Sequence, residues 1–493
     1  MMRLSLSALE RLPAEVARPV YDISAVRIGI VHLGIGAFHR AHQAVYVDDR
    51  LAAGETDWGI CGASLRSPET ADALVPQDGL YTVAIRSGSG ERLRVIGAVR
   101  RLLVAPSNPA ALLDAMANPT VRIVSLTVTE KGYCHDPAAG DLQPDHPDVV
   151  ADLAAPERPR SVPGVLVEAL RRRRTSGVAP FTVLCCDNLP ENGHTVGRVL
   201  VQFAGLRDPD LGRWVENEVA FPSTMVDRIV PATSDVDRAA VAARLRVSDA
   251  WPVMTELFTQ WVIEDRFGNG RPRFEDAGAE LVADVAPYEL MKLRLLNGSH
   301  STLAYLGYLA GYETVSDVMT DPAFVRLVQG LMDEEVTPTL SLPPGADLAG
   351  YKRSLLERFT NPALKHRTWQ IAMDGSQKLP QRLLGTIRDR LAAGAPIPRL
   401  ALGVAAWMRY VTGIDEQGRP IDVRDPLAKR LRGLADEAGP ADRLAPALFS
   451  VREVFGDDLP RDPRFTKPVT DALDALFRNG ARAVVSGLVS ETR

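Results

Sequence analysis

An α/β fold, with parallel strands in the first part of the chain and a mainly α-helical second part, is what this sequence predicts. Three observations carry it. Short runs rich in Val, Ile, Cys and aromatic residues, at 26–33, 58–64, 121–127 and 181–186, alternate with helix-like stretches such as 109–117 and 165–174. A glycine turn, "HLGIGAF", follows the first of those runs directly. From about Pro287 the pattern becomes long amphipathic helical stretches at 288–311, 322–334, 379–392, 399–412 and 468–489, with "SLPPGADL" and "AAGAPIP" as loops. Strands separated by helix-length segments pair in parallel, because the crossover must return the chain to the same edge. A chain of 493 residues also exceeds one ordinary core. The expected domains are therefore 1–286 and 287–493.

Composition narrows the function classes. Hydrophobic residues at 46%, charged residues at 24% and a net charge of -5 are those of a globular protein without a nucleic-acid or anionic-membrane surface. The one basic run, Arg171–Arg174, follows the apolar stretch 165–170 and reads as a solvated helix end, where cations oppose the helix dipole. The four cysteines show no C-x-x-C spacing, and the adjacent Cys185 and Cys186 in "FTVLCCDN" read as buried strand thiols. "MMRLSLSALERLPAEVARP" lacks the apolar core of a signal peptide, and "LALGVAAWM", bounded by Arg399 and Arg409, is too short to span a bilayer. A reduced, cytoplasmic protein is expected.

The glycine turn gives the first chemical reading. Gly34 and Gly36 stand between a strand and a helix, as a dinucleotide site of Rossmann type requires. The first glycine permits the tight turn, the second lets the backbone approach a pyrophosphate, and the helix N-terminus supplies amides. His39 occupies the place of the third glycine, which would let helix and strand pack closely. Phe38 and Arg40 join Gly34 and Gly36 as candidate cofactor contacts, although His39, Arg40 and His42 can equally lie on the helix surface. After the second strand, "SLRSPET" offers Glu69 for a ribose 2'-hydroxyl and Arg66 for a 2'-phosphate, or both as solvated loop charges.

The second reading comes from "MKLRLLNGSH", residues 291–300, which sets Lys292, Asn297 and His300 in an apolar segment. Such groups are costly to bury without partners. On a helix Asn297 neighbours His300, and Lys292 shares a broad face with His300. Oxidation of a secondary alcohol needs a base for the hydroxyl proton and donors for the forming alkoxide. A lysine with its pKa lowered by burial can be that base. Gly298 allows a local break or a close approach by substrate. The plainer alternative is a helix interruption with Lys292 reaching solvent. "CDNLPENG" places Asp187, Asn188 and Asn192 at the carboxyl end of a strand, where ligands of such sheets bind, though Asn188 also suits an Asx-turn.

Taken in order, "GIGAFHRAH", "TVTEKGYC", "CDNLPENG", "MVDRIVP" and "KLRLLNGSH" resemble the polyol-specific long-chain dehydrogenases, the mannitol 2-dehydrogenase family that includes fructuronate reductases. The resemblance implies metal-independent hydride transfer between a polyol or aldonate and NAD(P), in a Rossmann domain followed by a helical one. It implies Lys292 as general base, Asn188 and Asn297 as holders of the reacting oxygen, and His300 as a substrate-positioning group. Asp227 and Lys378 would bind substrate hydroxyls, and Glu289 and Glu130 would connect the lysine to solvent. Gln370 stands where mannitol 2-dehydrogenases carry arginine, and Pro68 where the family often has an acid.

The expected reaction is oxidation of a D-mannitol-like polyol to a D-fructose-like 2-ketose with NAD, NADP being possible. The alternative is a D-mannonate oxidoreductase, for which Lys378, Lys365, His366 and Arg367 are candidate carboxylate partners. The pair Tyr288 and Lys292 matches the Y-x-x-x-K of short-chain dehydrogenases by coincidence, since those chains are shorter. No His/Cys grouping for a tetrahedral metal site is legible. A non-catalytic NAD sensor would have no use for Lys292, Asn188 and Asn297. The expected partner is a small-molecule substrate, in a monomer or weak oligomer.

Overall fold

The computed structural model describes residues 1–88, 90–136, 139–343, 345–439 and 441–490. The chain divides into two compact units, Met1–Ala286 and Pro287–Arg493. The first carries strands β1 (Ile28–Leu33), β2 (Gly59–Ser64), β3 (Tyr81–Ser87), β4 (Gly90–Ile96), β5 (Val99–Val104), β6 (Ile123–Leu126) and β7 (Thr182–Cys185). It continues with β8 (Thr224–Asp227), β9 (Val253–Glu256), β10 (Gln260–Glu264) and β11 (Glu280–Val282).

Five strands form a parallel sheet in the order β5-β2-β1-β6-β7. β1, β2, β6 and β7 read as largely apolar runs because both their faces are covered, whereas the edge strand β5, with Arg100 and Arg101, is mostly half-buried and was not among the expected strands. In β1, Ile30 enters one core while Val31 and Leu33 enter the other. The adjacent thiols separate in the same way, Cys185 to one face and Cys186 to the other, and all four cysteines are free and buried. The chain builds outward from β1 through β2 to β5, then returns to place β6 on the other side of β1. The loops after β1 and β6 therefore part at a topological switch point, the crevice where ligands of open α/β sheets bind. Two smaller sheets, β11-β10-β8 and β4-β3-β9, complete the unit.

The arginine run is not simply a solvated helix end. Arg173 is buried and donates to the carbonyls of Ala179 (2.6 Å), Met116 (3.0 Å), Asn118 (3.1 Å) and Val121 (2.9 Å). It ties the end of helix Val162–Thr175 to the chain entering β6. Arg171 and Arg172 bind the fully buried carboxylate of Glu168, joined there by Arg207 at 2.7 Å.

The second unit is helical throughout its described residues apart from loops and isolated bridges. Its central helix, Pro398–Val411, is buried from Arg399 to Val411, and the Glu335 carboxylate accepts from the amides of Arg399 (2.8 Å) and Leu400 (2.9 Å) at the helix start. Three of the expected helices are not uniformly α-helical. Each contains a wider π-helical turn: Lys292–Asn297, Leu331–Val336 and Pro380–Leu384. At their ends the amides of Gly298, Thr337 and Gly385 reach back five residues, to Leu293, Met332 and Pro380. The stretch at 468–489 belongs to two helices, Pro463–Asn479 and Ala481–Ser490, parted at Gly480. Among the described residues no helix is long and apolar enough to cross a membrane.

Candidate active site

The glycine turn lies at the switch point. Gly34 has φ +92°, and its amide donates to Ala63 of β2 at 2.9 Å. A Cβ there would lie 2.1 Å from the Thr127 carbonyl oxygen, beyond β6, so only glycine lets the two loops approach. The Thr127 hydroxyl donates to the Gly34 carbonyl at 2.8 Å. His32 Nε2, 2.9 Å from that hydroxyl, therefore carries its ring proton, and Nδ1 accepts from Ser125 at 2.8 Å. Gly36 is different: it is exposed, and a Cβ on it would meet only the Gly34 carbonyl, at 3.8 Å. The following helix, Ala37–Ala41, has no side-chain cap, so its first amides face the turn's open side unsatisfied by a capping side chain. Open space beside a glycine and a row of amides suit a dinucleotide phosphate.

His39 does the work of the missing third glycine in another way. Its ring is buried and stacks on His32 at 3.4 Å, packing helix on strand through two imidazole faces. Burial holds both rings neutral: it brings His32 down to about 3, and it lowers His39 well below the usual histidine range, with help from His32, Arg40 and His42. Arg40 is not a cofactor contact. Its guanidinium is buried, donates to the Trp251 carbonyl at 2.5 Å and lies over the Tyr81 ring, so it faces the interior. His42 is likewise buried, against the Gln260 carbonyl, which excludes the helix-surface placement of all three residues. Phe38 is half-buried and stacks parallel to His42 at 5.1 Å. Arg66 and Glu69 are both exposed in the segment after β2.

At the carboxyl ends of β6, β7 and β8 five candidates appear. Glu130 is exposed at the start of the short helix Glu130–Tyr133. Asp187 is not a free ligand group: it accepts from the amides of Val128 (2.9 Å) and Thr129 (3.0 Å) and from the Tyr133 hydroxyl (2.6 Å). Asn192 is buried, donating to the Asp187 and Thr224 carbonyls and accepting from the Thr224 amide. Together they stiffen the loop and leave Asn188 as its exposed amide. Asp227 ends β8 and is buried. The fold also gathers ligand atoms of Cys134, His146 and Asp148 within 4.8 Å, a grouping that their separation in sequence hid. The His146 Nδ1 in that group already accepts the Asp148 amide as a helix cap, at 3.2 Å.

In the second unit Glu289, Lys292 and Asn297 are half-buried, the last two opening and closing the first π turn. An α-helix would set residues five apart about 140° round the axis, whereas a turn bonded five residues back stacks them. The winding thus brings positions 292 and 297 nearer to one face than a regular α-helix would, which the regular-helix reading did not foresee. Gly298 makes no break, and its close approach is to protein rather than substrate: a Cβ would lie 2.8 Å from the Arg382 carbonyl oxygen.

His300 is buried against Phe359, 4.6 Å away, and edge-on to His366 at 5.1 Å. Burial, then the positive fields of His366, Arg358 and Arg382, keep it neutral well below the usual range. Burial with Arg358 and Lys378 brings His366 down to about 4. The Lys378 amine donates to the Met373 carbonyl at 2.6 Å. Gln370 is exposed on helix Thr368–Ala372. Of the suggested carboxylate partners, His366 and Lys378 lie in this group. Lys365 and Arg367 are exposed, and Arg367 pairs with Glu313 at 3.4 Å. Arg358, buried beside the histidines, carried no signal in the sequence.

Residues 28–276 match the mannitol dehydrogenase Rossmann domain, and residues 284–477 match the mannitol dehydrogenase C-terminal domain. The chain belongs to the mannitol dehydrogenase family. It is an oxidoreductase of the polyol and aldonate dehydrogenase type. It is 49% identical to D-mannonate oxidoreductase of Escherichia coli (strain K12) over 477 residues, covering 96% of this chain and 98% of the relative. Pseudomonas fluorescens mannitol 2-dehydrogenase, solved as a ternary complex with NAD and D-mannitol, superposes with a TM-score of 0.89 at 41% identity, covering 99% of this chain and 100% of that one. A substrate-free D-sorbitol dehydrogenase superposes with a TM-score of 0.85 at 35% identity, covering 98% and 100%. Among mannitol dehydrogenase relatives, then, both neutral polyols and a sugar acid appear in the names.

Proposed function

We propose that this mannitol dehydrogenase family member oxidises one secondary alcohol of a linear, D-mannitol-like polyol to the 2-ketose, with NAD and without a metal. The observation that carries the reading is that Lys292 and Asn297 open and close one π turn, with a neutral, buried His300 three residues on. NAD, when bound, accepts the hydride. Gly34, Gly36 and the first amides of helix Ala37–Ala41 hold its pyrophosphate, with Phe38 beside them, and Glu69 takes the ribose hydroxyl. Arg66 is the residue through which NADP would be accommodated.

The remaining roles belong to the chain's own side chains. The Lys292 amine, in its neutral form, takes the proton of the reacting hydroxyl, and the Asn188 and Asn297 amides donate to the oxygen as it gains charge. A neutral His300 can hydrogen-bond a hydroxyl without adding positive charge beside the lysine. Asp227, Lys378 and Gln370 read the remaining hydroxyls. Glu289 and Glu130 pass the proton from Lys292 to solvent. The protein works as a cytoplasmic monomer or weak oligomer.

A second reading has D-mannonate as the substrate, and one observation favours it. Arg358, Lys378 and Arg382 all act on the His300–His366 pair, a cationic setting that suits a carboxylate. A panel of D-mannitol, D-arabinitol, D-sorbitol and D-mannonate, run with NAD and with NADP, decides. Turnover of polyols with NAD is expected. Turnover of mannonate alone overturns the polyol reading.

A further inference from the structure

The first π turn is held from outside, and the residue that holds it is Arg294. This side chain is 7% exposed and sits two positions after Lys292 and three before Asn297. Its Nη2 meets Asp389 Oδ2 at 2.6 Å, and its Nη1 donates to the Thr339 carbonyl at 3.1 Å. Asp389 lies on helix Gly385–Ala392, which leaves the third π turn, and Thr339 closes the short helix that leaves the second. One guanidinium therefore bridges the exits of both other π turns. Just past the turn, a Cβ on Gly298 would lie 2.8 Å from the Arg382 carbonyl oxygen, and Arg382 Nη1 donates to Ser301 at 3.2 Å.

A π turn is a locally disfavoured winding that persists where surroundings enforce it, and it occurs often at functional sites. In a regular α-helix Lys292 and Asn297 would lie roughly 140° apart about the axis, farther than in the π turn. We propose that Arg294, anchored by Asp389, is a positioning residue that keeps this segment π-wound and so keeps the lysine amine and the asparagine amide aligned. The proposal rests on the reading of Lys292 and Asn297 as the groups at the reacting oxygen.

The test compares Arg294→Met, Arg294→Lys and Asp389→Asn with Lys292→Ala, in the full chain with NAD and the best polyol of the panel. Misplacing a catalytic group by about 1 Å costs on the order of 10²-fold in rate. Arg294→Met is therefore expected to lower kcat by about that factor, with KM and NADH affinity within about threefold of wild type, since uniform binding is untouched. Arg294→Lys, which can still reach Asp389, should recover part of the loss. The acidic limb of the kcat/KM–pH profile, which reports protonation of Lys292, should move in Arg294→Met and Asp389→Asn, which a merely structural loss would not do. Because Asp389 is half exposed (51% at the side chain), Asp389→Asn should fold even if Arg294→Met does not. A kcat near wild type and an unmoved pH profile in Asp389→Asn and Arg294→Met, beside an inactive Lys292→Ala, overturn the proposal alone. An active Lys292→Ala overturns the underlying reading and the proposal with it.

Discussion

Replacing the two glycines of the turn separately by alanine should damage different properties. At Gly34 the added Cβ would lie 2.1 Å from the Thr127 carbonyl oxygen and 2.7 Å from its carbon, on a residue at φ +92°. Reaching an ordinary contact requires the loops after β1 and β6 to part by roughly 1 Å or more. The Thr127 hydroxyl bond to the Gly34 carbonyl, at 2.8 Å, and the Gly34 amide bond to Ala63, at 2.9 Å, are the ones that stretch. Backbone strain of about 1–3 kcal/mol and one or two hydrogen bonds at about 1 kcal/mol each give a loss of about 2–5 kcal/mol. At Gly36 the nearest atom to the new Cβ is 3.8 Å away. Stability there should change by less than about 0.5 kcal/mol. NADH affinity should fall at least about tenfold, because the methyl fills the space the pyrophosphate needs. Urea unfolding followed by tryptophan fluorescence and titration of NADH fluorescence measure the two effects. Unchanged NADH affinity in Gly36→Ala would refute the cofactor assignment, and full stability in Gly34→Ala would refute the turn geometry.

Three further outcomes follow. Stability should fall as pH drops from 6.5 towards 4, because the unfolded chain protonates histidines that the fold keeps neutral. His366 alone, lowered to about 4, contributes about 3 kcal/mol across that window, and a Tm that does not move between pH 7 and pH 5 contradicts it. Arg173→Met strands the carbonyls of Ala179, Met116, Asn118 and Val121 in the interior. It should cost about 3 kcal/mol, visible in urea midpoints, while kcat stays near wild type in whatever protein remains folded. Dialysis against EDTA should leave polyol oxidation unchanged, and lost activity restored by a divalent metal would refute the metal-free reading.

Four strands of the central sheet were legible because they are buried on both faces and appear as short apolar runs; the edge strand β5, "VRRLLV", interrupted by two arginines and mostly half-buried, was not. The β3–β4 hairpin and the two smaller sheets were not, since "YTVAIRSG" and "GERLRVI" mix charges into partly exposed strands. Gly34 and Gly36 were legible as a pair, and their different spatial demands were not. Arginine burial escaped altogether: Arg40 and Arg173 look solvated, and only carbonyls brought from distant segments explain their place inside. The polar residues of "KLRLLNGSH" stood out against an apolar background, but a 3.6-residue pattern cannot show the extra residue in a π turn. Arg294 and Arg358 looked like ordinary helix charges for the same reason. Asp187 was singled out correctly for its position after β7, yet its carboxylate serves the loop after β6.

The most direct measurement is the pH dependence of kcat for wild type and Lys292→Ala, with and without added small primary amines. A proton-accepting lysine predicts a loss of roughly 10²–10⁴-fold, unchanged NADH affinity, disappearance of the wild-type acidic limb, where activity falls as the lysine protonates, and a rate that returns in proportion to amine concentration. Wild-type kcat and an unaltered pH profile in Lys292→Ala would contradict it.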